Sequence, residues 1–168
     1  MISDDMFERQ RAALAQAMVA WFEPFRHHVS SVVEDEPTFT RLAARPHLPA
    51  SIGLDLVIYQ NQRADLEIGT ETYEALPVKD LQGAIHLFEA VADGLLITRR
   101  WKRGVSGVHV ATDTSFEAHP AASLMVQRNG WPLRQIVPGR SAADLEAAVA
   151  VDRRYPPWVR VPHEAVGS

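Results

Sequence analysis

The 168-residue chain has no cysteine. Disulfide staples, thiolate nucleophiles and cysteine-ligated metal centres are therefore excluded. Lysine is almost missing too: of 17 cationic residues only Lys79 and Lys102 are lysine. Together with 23 alanines, this usage is what a GC-rich bacterial genome produces, and it carries no functional meaning. No stretch approaches the roughly 20 apolar residues of a membrane-crossing helix. The opening Met1-Ile2-Ser3-Asp4-Asp5 is acidic where a secretory leader is basic. The expectation is a cytoplasmic protein with no membrane association. No P-loop or G-x-G-x-x-G occurs, and none of the 7 histidines sits in H-E-x-x-H or H-x-H spacing. Neither a cofactor, a metal nor a catalytic residue is therefore expected. A formal charge of −4 argues against a dedicated nucleic-acid binder.

What is present is a 46% apolar composition, enough to build one globular domain over 1–168 with an extended tail from about 153. Ala13, Leu14, Ala17, Met18, Trp21 and Phe22 recur at helical spacing, with Asp4 or Asp5 as cap and Pro24 as terminator. A second helical piece is predicted over Phe25–Val33, and a short helix opening at Pro37 and running to Ala44. Period-2 alternation over Leu54–Tyr59 and Ala64–Gly69, across Gln60-Asn61-Gln62-Arg63, predicts a hairpin. Asp80 and Gly94 bracket a helical stripe of Leu81, Ala84, Ile85, Phe88 and Val91. Strands follow over Leu95–Arg103 and Val105–Phe116, the latter interrupted by Gly107. Asn129-Gly130 predicts a hairpin in 124–137, with a short helix from Pro120 as the other reading. Ser141 and Asp144 form a capping pair for a helix through Leu145, Ala148, Val149 and Val151. The sum is an α+β fold: a mostly antiparallel sheet with helices packed on one face, including an N-terminal and a C-terminal helix.

Four constellations could carry chemistry. Gly104-Val105-Ser106-Gly107-Val108 has valine where a nucleophile elbow needs glycine, and strand follows where that elbow needs helix. Ser106 with His109 and Asp113, which share strand parity, is thus a weak catalytic set. Asp65, Glu67 and Glu71 share a face if their strand runs straight; such a face is commonly just solvated. Arg99, Trp101 and Arg103 share a face of the densest basic run, where Trp101 with arginine stems over apolar surface is the commoner arrangement. Finally, residues 1–93 hold 7 Lys and Arg against 15 Asp and Glu, whereas 94–168 hold 10 against 6. The halves thus carry −8 and +4, a field that steers association with a charged protein or a second copy.

Function is expected to be non-catalytic protein interaction, of adaptor, chaperone or toxin-neutralising type, with an unidentified protein partner or self-association as a homodimer. The surface expected to serve it is a charged and aromatic sheet face drawn from Asp65, Glu67, Glu71, Arg99, Trp101, Arg103 and Trp131. The alternative is a small hydrolase-like enzyme or small-ligand binder with a pocket between sheet and helices.

Overall fold

Two antiparallel sheets and the helices packed against them make up the α+β architecture in the computed structural model, which describes residues 2–116 and 132–161. The first helix, α1, spans Asp4–Phe22. Its buried stripe is Phe7, Arg11, Leu14, Ala15, Met18 and Phe22, rotated slightly from the predicted one, so that Ala13 and Ala17 face solvent. Ser3 precedes the helix and its carbonyl takes the N–H of Phe7. Asp4 and Asp5 lie in the first turn, where their charge suits the helix dipole. Pro24 stops α1 in a single 3-10 turn, Glu23–Phe25.

The next two segments are strands, not the helices predicted for 25–33 and 37–44. β1 is Val29–Asp35 and β2 is Phe39–Pro46, paired antiparallel with Val33 opposite Leu42. Val29, Val32, Val33 and Thr40 are β-branched and stiff. Thr40, Leu42 and Ala44 alternate inward between outward Phe39, Arg41 and Arg45. Pro37 lies in the tight turn joining the strands instead of opening a helix.

The predicted hairpin is β3, Leu54–Tyr59, and β4, Arg63–Ile68. β5, Glu71–Pro77, completes a meander in the order β1-β2-β3-β4-β5. Leu42, Leu56, Ile58, Leu66 and Ile68 from one face of this sheet join Leu14 and Met18 of α1 in a single apolar cluster. Leu87, Phe88 and Val91 of α2 (Gln82–Ala92) belong to the same cluster. Asp80 accepts the Gln82 N–H ahead of α2. Gly94 ends it at φ +74, with Leu95 N–H reaching back to Ala90 O.

The second sheet is β6 (Leu96–Arg103), β7 (Val108–Phe116), β8 (Leu133–Ile136) and β9 (Ala148–Arg154), ordered β8-β7-β6-β9. The Ser141–Asp144 capping box forms, yet its helix, α3, is only Ala142–Leu145. Ala148, Val149 and Val151, predicted to continue it, form β9 instead. Their alternation with Ala150 and Asp152 lets β9 pair along β6, Ala148 opposite Arg103 through Arg154 opposite Ile97. Arg153 and Arg154, expected in the tail, belong to this strand. The predicted Asn129-Gly130 turn and the Pro120 helix lie outside the described residues.

The segment after β9 does not simply run over the surface. Trp158 is buried, its Nε1 donates to Ile52 O, and its N–H donates to Ala92 O. Its ring meets Trp21 and Phe25 edge-on. Val161 N–H reaches Pro24 O, and Arg160 pairs with Asp93. Residues 155–161 are thus a strap across the ends of α1 and α2.

Candidate functional site

Because α1 and α2 cover one face of the first sheet, its other face is left open, and the strand register arranges that face in rows. Glu34, Arg41, Val57 and Asp65 form one row, and Ala43, Asp55, Glu67 and Thr72 the next. Phe39 lies opposite Tyr59 in a third. With Leu66, and without Ala43, they line a trough of about 440 Å³ whose apolar side chains include Phe39, Val57 and Tyr59. Four carboxylates, Glu34, Asp55, Asp65 and Glu67, and one cation, Arg41, surround it. An adjoining hollow of about 210 Å³ shares Asp55 and Glu67 and adds Arg45.

These charges are not equivalent. Arg41 is committed: Nη2 lies 2.7 Å from Asp55 Oδ2, Nε bridges both Asp55 oxygens, and Glu34 is 3.8 Å away. Asp65 is committed as well, accepting from Tyr59 Oη at 2.9 Å and from Ala75 N at 2.8 Å. The second bond holds Ala75 at φ +54, a non-glycine residue in the left-handed region. The hydrogen bond to Asp65, with burial and the charges of Asp65 and Glu74, pushes the Tyr59 phenol above its ordinary pKa, so Tyr59 stays a donor. Glu67, by contrast, is exposed and makes no hydrogen bond or ion pair among the described residues. The trough therefore offers a fixed apolar floor, a neutralised Arg–Asp pair and at least one free carboxylate.

Glu71 does not join this acidic set. The chain turns at Gly69, φ +60, so that Glu71 in β5 lies opposite Ile68 and Thr72 lies opposite Glu67. That reversal puts Glu71 on the other face, in a cleft of about 120 Å³ between the sheets with Thr98, Arg100, Thr112, Arg153 and Tyr155.

On the outer face of the second sheet, Trp101 lies between two guanidinium groups, Arg99 at 6.0 Å and Arg134 at 5.8 Å from its ring centre. Its Nε1 donates to Asp113 Oδ2 at 2.9 Å, and Arg134 Nε and Nη2 reach the same carboxylate at 2.6 and 2.7 Å. Arg99 forks onto Asp152 at 2.7 and 2.9 Å. Burial pushes the Asp113 carboxyl up, but hydrogen bonds from Arg134 and Trp101 and the nearby positive charges outweigh it, leaving it below the usual range. The predicted trio of Arg99, Trp101 and Arg103 thus splits: Arg99 and Trp101 form a self-satisfied network, while Arg103 reaches Asp144 at 3.8 Å. Trp131 lies outside the described residues.

The weak catalytic set does not assemble. A bulge places Trp101 opposite Ala111 but Lys102 opposite His109, so Val110 is the extra residue and parity breaks between His109 and Asp113. His109 Nε2 lies 2.9 Å from Thr112 Oγ1, Ser106 Oγ donates to Arg103 O, and Asp113 holds Trp101 and Arg134. Among the described residues no three His, Asp or Glu side chains converge as metal ligands, and no helix is long and apolar enough to cross a membrane.

No local pattern in the sequence marks Phe39, Arg41, Asp55 and Val57 as parts of one site. The alternation Phe39-Thr40-Arg41-Leu42 is masked by Pro37, which favours a helix, while Asp55 and Val57 take the outward positions of the predicted hairpin. Comparison of the chain with protein-family models, with curated proteins and with solved structures finds no match.

Proposed function

We propose that this chain is a non-catalytic protein-interaction domain whose open, acidic sheet face binds a cationic segment of a protein partner. The observation that carries the reading is the trough itself: an uncovered apolar floor of Phe39, Val57 and Tyr59 rimmed by four carboxylates and a single, already paired cation. A segment alternating Lys or Arg with aliphatic or aromatic residues matches both features, setting apolar side chains on the floor and charges on the rim. The change of sign at Gly94 supports the same reading. The acidic stretch supplies α1, the first sheet and α2, and the basic stretch supplies the second sheet, so the field is divided between layers and not averaged over one surface.

The test is binding of a synthetic eight-residue peptide alternating Arg and Leu, read by fluorescence anisotropy against a Glu–Leu peptide of the same length. Glu67→Lys is an exposed change and should leave folding within about 0.5 kcal/mol. It should weaken the Arg–Leu peptide about tenfold, and added salt should weaken it further. Equal binding of both peptides, or indifference to Glu67→Lys, contradicts the proposal.

A further inference from the structure

Among the described residues four strands stand at the sheet edges, and three of them carry features that discourage further pairing. β1 ends in Glu34 and Asp35, β5 contains the left-handed Ala75 and closes at Pro77, and β8 is only 4 residues long. β9 differs. It runs 7 residues, Ala148–Arg154, in unbroken register with β6 on one side. It has no proline and no bulge, and its other side meets no strand among the described residues. Val149 and Val151 in its middle are 61% and 54% exposed. The ladder groups along that edge and these two β-branched side chains are what an additional strand needs.

We propose that β9 is the pairing edge of a symmetric homodimer, in which β9 of a second copy adds antiparallel to it and the two four-stranded sheets become one continuous sheet of eight. The occupant is argued from the strand's own sequence. In a two-fold arrangement centred on Val151, the midpoint of β9, all 7 residues find partners. Val151 meets Val151 of the second copy, Val149 meets Arg153, Ala150 meets Asp152, and Ala148 meets Arg154. Every charged residue then faces an uncharged one, and the stem of Arg153 lies along a valine. Moving the centre to Asp152 sets two carboxylates directly opposite each other. Moving it to Ala150 leaves Arg153 and Arg154 outside the ladder. Asp152 is already neutralised by its fork with Arg99, so bringing two copies together concentrates no free negative charge at the seam. A foreign strand has no comparable reason to match this register.

Sedimentation equilibrium on the whole chain reads the outcome. Wild type should be dimeric at tens of micromolar. Val151→Lys, which places two ammonium groups at the centre of the seam, should raise the dimer dissociation constant about tenfold or more while leaving the circular dichroism spectrum unchanged. Because the chain has no cysteine, Val151→Cys introduces a single thiol. It should cross-link rapidly into a covalent dimer under mild oxidation or with a short bismaleimide. Val105→Cys, in the exposed turn between β6 and β7, should not. A wild type that stays monomeric to several hundred micromolar overturns the proposal. So does a dimer that survives Val151→Lys, or a Val151→Cys chain that links no faster than Val105→Cys.

Discussion

Asp113 joins side chains from three strands: its own β7, Trp101 in β6 and Arg134 in β8. At 5% exposure its charge would be costly without those donors. Asp113→Asn keeps the shape but removes the charge and mismatches Arg134, and should cost about 2 kcal/mol at neutral pH. A carboxyl held below its unfolded value, near 4, contributes stability above that pH and loses it as pH falls through the folded value. The gap between wild type and Asp113→Asn should therefore narrow below about pH 4, which urea melts at several pH values would show; a gap independent of pH would contradict the assignment. Gly94 is the second decisive residue. At φ +74 it is left-handed, and a Cβ there would sit 2.8 Å from Tyr155 O. Gly94→Val should lower stability by at least about 1 kcal/mol, and an unchanged melting temperature would refute the cap. Gly94 was legible in the sequence because a glycine just past an apolar stripe has few other uses. Asp113 was not, since its partners are 12 and 21 positions away and no local pattern links them.

Elements were legible in proportion to how local their stabilising interactions are. α1, α2, and the β3–β4 hairpin follow from periodicity and caps within the segment. β2 and β9 do not. Residues 39–46 and 148–154 contain alanine and arginine, good helix formers, and become strands because a neighbouring strand offers a ladder; β2 also turns one face to the core, whereas β9 is held by its pairing with β6. The strap after β9 is the same lesson without regular structure: its prolines read as surface chain, but Trp158 anchors it through Ile52 O, Trp21 and Phe25. Trp158→Ala should destabilise by about 3–5 kcal/mol in a chemical melt followed by far-ultraviolet circular dichroism. A loss under 1 kcal/mol would mean the strap merely rests on the surface. Arg11 plays a matching part near the middle of α1, where its buried guanidinium donates to Thr40 Oγ1 and Pro37 O and fixes the β1–β2 turn to the helix.

At the scale of the molecule, a buried side-chain contact ties the acidic layer to the basic one. Tyr73 of β5 bonds Thr114 of β7 at 2.7 Å, and burial pushes its phenol up to about 12. The link is therefore intact at every physiological pH. The stability of burying the phenol in its neutral form is lost only as pH rises through the folded value, above the unfolded value of about 10. With that joint fixed, the open face of the first sheet and the free edge of the second are separate surfaces. One is shaped by acids around an apolar floor and the other by an unguarded strand. The sequence showed the opposite charges of the halves; it could not show that they would be sorted into different sheets, because that depends on where the chain crosses between layers.

The trough over β2, β3 and β4 is the proposed seat of the cationic segment. Amide chemical-shift mapping with the Arg–Leu peptide tests it most directly. Perturbations should concentrate at Phe39, Arg41, Asp55, Val57, Tyr59 and Glu67, with Arg99, Trp101 and Arg134 unmoved. Perturbations confined to the second sheet, or spread evenly over the acidic surface, would contradict it.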